Sequence, residues 1–361
     1  MTQDKASKTF NLLSEKLIKE HWDFYPTAGS RIGHHQYDGR LPDLSPAQNA
    51  RRVLELKSGQ KELQRINSED LSDAEGMSSQ MLDLFLQREL FVFNDLKPLE
   101  NNPMRHIGYL NVSGYIHRNY APLEDRLRAA SRTMRQVPDF LNVLDKALVK
   151  QLSSYLVEMS IESYSGMAGF YRKDLAGATN GITDFEVIKE FNQAREAAAS
   201  ALENFVVQLK DRGNSGPEGF SIGPKLYARM LATGEGLDAP LSHIAAIGQT
   251  NLDENLSRIK EIAQSISPGR AITDIVEEVG RNHPQPHTLI SETQNMLEDI
   301  RQALTDFDVI SVPSDDRCLV IETPGYMRYA FAAMDTAGPL ETKATESFYY
   351  VTPVDLSLIH I

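Results

Sequence analysis

The chain has 361 residues, 41% of them hydrophobic, which is enough to bury a sizeable core in one large domain or two ordinary ones. Its 37 basic and 50 acidic residues give a net charge of −13, without any block rich in lysine and arginine, so nucleic acid and anionic membrane surfaces are excluded as expected partners. The single cysteine, Cys318, excludes an internal disulfide and a multi-cysteine zinc site, as is typical of a reducing compartment.

The sequence carries no visible targeting or membrane-spanning segment. The first residues, MTQDKASKTFNLLSEKLIKEHW, lack the uninterrupted apolar core of a signal peptide. No later stretch approaches the ~18 apolar residues that a membrane helix needs. We therefore expect a cytoplasmic protein with no membrane partner.

Helical periodicity dominates the first 306 residues. Apolar residues recur at three- and four-residue steps, and prolines or glycine clusters end most of the runs. The predicted helices occupy an N-terminal stretch that ends before residue 26, followed by 41–57, 73–95, 122–136, 138–149, 153–175, 184–212, 223–232, 240–267, 272–279 and 288–305.

Several residues predict where these helices begin and end. Ser72 stands three residues before a glutamate, the spacing of a capping box, and Asp184 and Ser45 are suited to cap the helices that follow them. Pro138 is predicted to divide two helices, because an internal proline removes a hydrogen bond and clashes with the preceding turn. The sequence GNSGPEG at 213–219 predicts a loop.

The pattern changes after residue 306. Short β-branched or aromatic segments at 309–312, 318–322, 329–332 and 348–352 alternate with turn sequences and are predicted to be strands. The expected fold class is therefore mainly α, a large helical array at 1–306 with a small β-sheet near the C-terminus at 307–355.

Two histidine pairs and the cysteine are the candidates for metal or nucleophilic chemistry. His34 and His35 are adjacent, so their side chains diverge, and a solvated turn is favoured over a metal or substrate role. His283 and His287 have the spacing of a helical zinc pair, but two prolines between them favour a turn that joins helices. Cys318 precedes an apolar strand and is predicted to be a core thiol instead of a nucleophile.

Hydrogen-bonding aromatics and one cation concentrate in the predicted strands. A strand beside a cleft can bind an extended peptide by backbone pairing, with neighbouring side chains forming pockets. Simple sheet packing is the alternative role for such residues. We predict Tyr326, Arg328, Tyr349 and Tyr350 as substrate-binding residues.

Several short stretches, taken together, resemble one family. They are HQYDGRLPDLSP (35–46), YAPLEDRL (120–127), GPKLYARML (223–231), VIETPGYMR (320–328) and YYVTP (349–353). Their order, over about 10–354, resembles that in the bacterial domain-of-unknown-function family 885. The resemblance implies the N-terminal part of a fold similar to the zinc oligopeptidases and thermostable carboxypeptidases, with a small sheet beside a deep cleft.

The resemblance also implies where the chemistry lies. In that family, a later helix that opens with His-Glu and continues through Tyr-Pro-Gly to a His-His pair is expected to hold zinc, with the glutamate as base. This chain contains no His-Glu dipeptide. No catalytic residue, metal ligand or cofactor is therefore assigned to it, and zinc is expected in the full-length parent.

The expected function is thus that of an N-terminal fragment of a zinc-dependent peptidase-like protein, inactive alone, whose parent acts on peptides. One alternative is a non-enzymatic helical scaffold or pseudoenzyme that binds peptides or proteins. Another is a self-contained metal hydrolase built from His34, His35 and distant acids. Truncation predicts an exposed apolar helical face and an unpaired strand edge at 348–352.

The last six residues, LSLIHI at 356–361, match nothing expected in the family. One set of codons for them, CTG TCT CTT ATA CAC ATC, resembles a transposase adapter used in library preparation. They are therefore predicted to be a non-native tail on one incomplete domain.

Overall fold

Helices make up most of the described part of this computed structural model, which comprises residues 3–212, 221–324, 327 and 330–353. The mainly helical fold class with a small sheet near the C-terminus is confirmed. The helices are α1 (Gln3–Phe24), α2 (Pro26–Arg31), α3 (Pro46–Leu63), α4 (Asp73–Phe91), α5 (Pro98–Asn101), α6 (Ser113–His117), α7 (Leu123–Ala147), α8 (Ser154–Arg172), α9 (Phe185–Asp211), α10 (Gly223–Glu235), α11 (Leu241–Ile266), α12 (Ile272–Gly280) and α13 (Leu289–Asp306).

Side-chain caps begin two of the helices as the sequence predicts. At α4, the Ser72 hydroxyl accepts from the amide of Glu75, and the Glu75 carboxylate accepts from the amide of Ser72 at 3.0 Å, which completes the capping box. At α9, the carboxylate of Asp184 accepts from amides of the first turn. Ser45 precedes α3 without a capping bond from its side chain, and Pro46 occupies the first helical position. The predicted loop at 213–219 lies outside the described residues.

The contrast between Ser72 and Ser45 allows a test of capping. Replacing Ser72 by alanine removes the acceptor for the Glu75 amide and is expected to lower the free energy of unfolding by about 1 kcal/mol. Ser45→Ala removes no capping bond and is expected to change it by less than about 0.5 kcal/mol. Urea denaturation of both variants measures the two effects, and equal losses would contradict the assignment.

Pro138 lies inside one continuous helix, α7, so the predicted division into helices at 122–136 and 138–149 is wrong. Its neighbours Val137, Phe140 and Leu141 are buried in the main core. A proline inside a helix destabilises the folded state by about 3 kcal/mol, whereas burial of each large apolar side chain stabilises it by about 1.5–3 kcal/mol. Packing of this face therefore outweighs the local break.

The main core lies between α7, α8 and α9. Two fully buried tyrosines of α8 also fix the 3₁₀ segment Pro103–Leu110. The hydroxyl of Tyr164 donates to the carbonyl of Pro103 at 3.0 Å, and that of Tyr171 donates to the carbonyl of Leu110 at 2.6 Å. The two bonds thereby attach both ends of this segment to α8.

A second, smaller core lies between α1, α3 and α4. Leu17, Leu56 and Leu86 are buried there. Gly59 allows α3 to approach α1, because a Cβ at this position would lie within 3.0 Å of the Leu17 side chain. The apolar stripe predicted for the N-terminal helix is thus part of a core.

The helix α11 is much more exposed than the helices of the two cores. Ala263 is buried, whereas the larger apolar side chains of this helix are about half exposed, namely Ile247, Leu252, Leu256, Ile259, Ile262 and Ile266. The truncation from which an exposed apolar helical face was expected stays a prediction.

The small sheet consists, within the described residues, of β1 (Leu319–Glu322), β2 (Ala332–Asp335) and β3 (Phe348–Val351), in the order β1-β3-β2. The central strand β3 pairs parallel with β1 and antiparallel with β2. In this register Tyr349 lies opposite Val320 and Met334, and Tyr350 lies opposite Ala333.

The observed strands differ from the predicted ones in three respects. The segments 318–322 and 348–352 contain β1 and β3, but β2 begins only at Ala332, the last residue of the predicted strand at 329–332. Residues 309–312 form no strand, because they lie exposed after α13 without a partner strand to support their β-propensity. The unpaired edge predicted at 348–352 is wrong, since β3 is paired on both sides and the outer strands are β1 and β2.

Candidate functional site

A cleft of about 550 Å³ separates the sheet from the helical body. One wall comes from the end of α2, the segment Pro103–Leu110 and α6; the other comes from β2 and from residues 336–347, which we call the crossing loop. Its lining combines charged, aromatic and methionine side chains, as is typical of a ligand site. They include Arg31, His35, Tyr109, Tyr115, Arg118, Tyr120, Met167, Met327, Met334, Asp335, Glu341 and Tyr350.

The crossing loop lies directly against the backbone at the end of α2. The amide of Leu340 donates to the carbonyl of Ile32 at 2.8 Å. Gly338 is needed for this approach, because a Cβ there would lie within 3.0 Å of the backbone of Arg31 and Ile32. Gly33, with φ +103°, faces the loop in the same way from the other side. Two glycines thus let two backbone segments touch.

His35 connects the crossing loop to the helical body. Its Nδ1 lies 3.1 Å from Oδ2 of Asp38, and its Nε2 lies 2.8 Å from Oε2 of Glu341. The ring of Tyr120 stacks on the imidazole with centroids 3.6 Å apart, and its hydroxyl donates to Asp38 at 2.7 Å. Burial and the bond to Asp38 raise the pKa of Tyr120, so this hydroxyl stays protonated. Both ring nitrogens of His35 therefore have partners, and the ring links the crossing loop to the turn that contains Asp38.

Glu341 is the part of the crossing loop that His35 holds. Its Oε1 accepts from the amides of Thr342 and Lys343, each at 2.9 Å. Burial acts to raise the pKa of Glu341, but the Lys343 amide and the His35 ring outweigh it, and the net pKa is lowered. The carboxylate is therefore charged at neutral pH and is stabilised by donors on both oxygens.

Arg118, which follows α6, attaches the sheet to the helical body. Its guanidinium donates to the carbonyls of Asp335 at 3.0 Å, Thr336 at 3.0 Å and Glu346 at 2.6 Å. It also lies 3.0 Å from the Asp335 carboxylate and 5.2 Å from the centroid of the Phe348 ring. The charge of this mostly buried arginine is thus neutralised by Asp335, and its hydrogen bonds position the end of β2 and the residues that precede β3.

Aromatic and methionine side chains form the apolar part of the cleft. Tyr109, Met167, Met327 and Tyr350 all contribute to it. Burial raises the pKa of Tyr109 to about 12, so its phenol is neutral. Flexible thioether side chains adapt to apolar groups of different shapes, and aromatic rings offer a large apolar surface. This part of the cleft suits the side chains of an apolar ligand.

The C-terminal end of β2 borders the cleft, since Met334 and Asp335 line it. The carbonyl of Phe331 accepts from the amide of Thr352 at 2.8 Å, which marks these two opposite residues as a hydrogen-bonded pair. Such pairs alternate along an antiparallel ladder, so the backbone groups of Ala332 and Met334 point away from β3. No strand in the part of the chain that the structure describes pairs with this edge.

Comparison with known proteins decides the family. The family model described as "Bacterial protein of unknown function (DUF885)" matches residues 26–359, nearly the whole chain. The chain belongs to this family. The family membership expected from the sequence is confirmed, while the non-native origin of residues 356–361, which lie outside the described residues, stays a prediction.

One solved structure shows how this DUF885 chain compares with a larger protein. It is described as that of a putative lipoprotein of unknown function from Shewanella oneidensis and is similar with a TM-score of 0.68 and 19% sequence identity. The alignment covers 96% of this chain and 65% of that chain, so the chain spans less than two thirds of that protein's length. At this identity the likeness shows the fold alone. No curated protein matches the chain.

None of the described helices combines the length and the apolar character that crossing a bilayer requires.

Of the four predicted substrate-binding residues in this DUF885 chain, Tyr350 lines the cleft and Tyr349 does not. Successive residues of a strand point to opposite faces, so the two neighbours cannot share one site. Tyr349 lies opposite Met334 in the ladder, whereas Tyr350 is buried beside the cleft. Tyr326 and Arg328 lie outside the described residues.

The histidine pairs do not converge on one point. His34 packs its ring against Trp22, with centroids 4.4 Å apart, while His35 faces carboxylates of the cleft. His283 and His287 are exposed in the connection between α12 and α13. Across residues 3–212, 221–324, 327 and 330–353, no group of three or more His, Cys, Asp or Glu side chains is arranged to hold a metal ion. The donors of the described residues therefore do not fit zinc.

Two residues that build the cleft were missed in the sequence. Arg118 and Glu341 are single charged residues without a recognisable motif around them. Glu341 contacts His35, which lies 306 positions away in the chain. The local signal was the turn HQYDG, in which His35 and Asp38 are three residues apart and pair within one 3₁₀ turn. The partner from the distant loop had no local signal.

Proposed function

We propose that this chain supplies the peptide-binding cleft of a larger zinc-dependent, peptidase-like protein of the DUF885 family. An extended peptide would lie beside β2 and add a strand to the sheet. The observation that carries the proposal is the free edge of β2, in which Met334 lines the cleft and the outward backbone groups of Ala332 and Met334 have no partner strand among the described residues. Strand addition gives affinity through main-chain hydrogen bonds and specificity through pockets for alternate side chains.

The lining of the cleft supports a peptide as the ligand. Tyr109, Met167 and Tyr350 offer an apolar surface, and the charged residues lie beside it. A volume of about 550 Å³ is in the range of ligand pockets and accommodates a short stretch of peptide. Arg118 positions the end of β2 through its carbonyls, so the edge is held in place before a ligand arrives.

Hydrolysis, in this proposal, belongs to the whole protein. The resemblance to zinc oligopeptidases supports a zinc ion held by a His-Glu helix, and the described donors of this chain do not fit that ion. We therefore expect the chain to bind peptides without cleaving them. The single cysteine supports a reducing, cytoplasmic location.

A non-enzymatic scaffold or pseudoenzyme is the second candidate function. The apolar stripe of α11, with Leu256, Ile259 and Ile262 about half exposed, favours it because such a surface is suited to protein contacts. The gene beyond codon 355 distinguishes the two candidates. A His-Glu helix followed by His-His would support the peptidase, and an uninterrupted frame without them would support the scaffold.

Met334→Pro is expected to weaken peptide binding about tenfold, because it removes an outward amide and leaves the ladder to β3 intact. Met334→Leu keeps the amide and a similar volume, and is expected to bind like the unmodified protein. Fluorescence anisotropy with a labelled pool of peptides of about ten residues measures both. Undiminished binding to a folded Met334→Pro protein would rule out pairing at this edge.

A further inference from the structure

Among the described residues that line the cleft, not every charged side chain is paired with one of opposite charge. Among the described residues, Arg118 is paired with Asp335, and Glu341 is paired with His35. Arg31 also lines the cleft, yet no carboxylate of the described residues lies within ion-pair distance of it. In a chain with a net charge of −13, a cation left without such a partner at a cleft is a marked feature.

The guanidinium of Arg31 is held in place but not saturated. One nitrogen donates to the carbonyl of Gly108, in the segment that carries Tyr109. Its positive charge also acts to lower the pKa of Tyr109 against the stronger effect of burial, which places the charge beside the apolar part of the cleft. An arginine has five N–H donors, so several are left for a ligand.

The backbone of Arg31 is fixed as well. Arg31 ends α2, and its carbonyl and the next residue pack against Gly338 of the crossing loop. Arg31 is thus held by neighbours both at its backbone and at its guanidinium, so its side chain loses little conformational freedom when it binds a ligand. Its planar fork matches the two oxygens of a carboxylate.

We propose that Arg31 binds a carboxylate group of the peptide in the cleft, an inference that rests on the proposed peptide binding. The carboxylate can be the C-terminal α-carboxylate or an acidic side chain. Asp335, at the end of β2, leads into the crossing loop that lies on Arg31, so Arg31 is near the C-terminal end of β2. A peptide that runs parallel to β2 directs its C-terminus towards Arg31, whereas an antiparallel peptide engages it only through an acidic side chain.

The test uses three labelled peptides with one apolar sequence: a free C-terminal acid, the same peptide as an amide, and the amide with one internal glutamate. Anisotropy is measured with the full chain, with Arg31→Gln and with Arg281→Gln. The last replaces an exposed arginine that directly follows α12, pairs with Glu277 and does not line the cleft. Arg31→Gln is expected to weaken binding of a carboxylate-bearing peptide about 10- to 100-fold and to leave the plain amide unchanged.

The pattern of losses distinguishes the possible results. A loss confined to the free acid assigns the C-terminal carboxylate and a parallel peptide, and a loss confined to the glutamate peptide assigns an acidic side chain. Equal binding of all three peptides, unaffected by Arg31→Gln but weakened by Met334→Pro, would overturn the role of Arg31 while leaving peptide binding at β2 intact. Absence of binding by every peptide would overturn both.

Discussion

Gly338→Ala is expected to detach the crossing loop from the helical body. The new Cβ would lie within 3.0 Å of the backbone of Arg31 and Ile32, and a backbone cannot move aside as the tip of a flexible side chain can. The hydrogen bond from Leu340 to Ile32 and the contact between Glu341 and His35 both depend on this approach. We expect a loss of about 3 kcal/mol in the free energy of unfolding, from overpacking and lost hydrogen bonds.

The same exchange at Gly248 provides the matched control. This glycine lies inside α11 with open space around it, so a Cβ there meets no atom within 4 Å. Gly248→Ala is expected to stabilise the protein by about 0.5–1 kcal/mol, because alanine favours the helix.

Urea denaturation and limited proteolysis of the crossing loop distinguish the two variants. Faster cleavage within 336–347 is expected for Gly338→Ala alone, and its peptide affinity should fall together with its stability. A Gly338→Ala protein with unchanged stability and protection would show that the contact between the crossing loop and α2 is dispensable.

Stability is expected to fall as the pH decreases from about 6.5 to 4, because two histidines are buried in the neutral form. Burial lowers the pKa of His106 to about 4, with Arg105 acting in the same direction. Burial also lowers the pKa of His21 to about 4, assisted by Arg52. In the unfolded chain both rings take up a proton near pH 6.5, so acidification favours unfolding until the folded-state pKa is reached.

The size of the effect is set by the shift of His106, which is 5% exposed. A decrease from 6.5 to about 4 corresponds to about 3 kcal/mol of stability that is present above pH 6.5 and lost by pH 4. Glu89 acts in the opposite sense, because burial raises its pKa and its protonated form favours the folded state. Glu89 thus offsets part of the effect of the histidines, whereas Glu341, whose pKa is lowered in the folded protein, adds to it at the acidic end of this window.

Substitution isolates the contribution of His106. In His106→Leu, the loss of stability between pH 7 and 4.5 is expected to be smaller than in the unmodified protein by up to about 3 kcal/mol. His287→Leu, which removes an exposed histidine, should leave the slope unchanged. Unfolding midpoints in urea at the two pH values provide the comparison. Parallel slopes for all three proteins would contradict a buried neutral His106.

The helices were predictable because their signals are local. Apolar periodicity, the capping box at Ser72 and the cap at Asp184 all act within one or two turns, and α11 (Leu241–Ile266) departs from its predicted range of 240–267 by one residue at each end. The family resemblance was likewise carried by short stretches, each readable by itself.

The errors occurred where non-local packing overrides a local signal. Pro138 has the chemistry of a helix breaker, but burial of α7 against α8 and α9 keeps the helix continuous. Val309 and Ile310 have high β-propensity, but a strand forms only where another strand supplies hydrogen bonds. The central place of β3 also depends on pairing with two segments from different parts of the chain.

The sequence by itself determined the mainly helical fold class, the position of most of the long helices and the lack of an internal disulfide, and it predicted a turn at His34 and His35. Only the tertiary structure decided that Glu341 completes the His35 cluster, that Arg118 positions β2, and that Tyr350 but not Tyr349 lines the cleft. The physical reason is the separation along the chain between the residues that interact. Caps and helical stripes act between residues a few positions apart, whereas the cleft forms from segments that approach only when two glycines allow their backbones to touch.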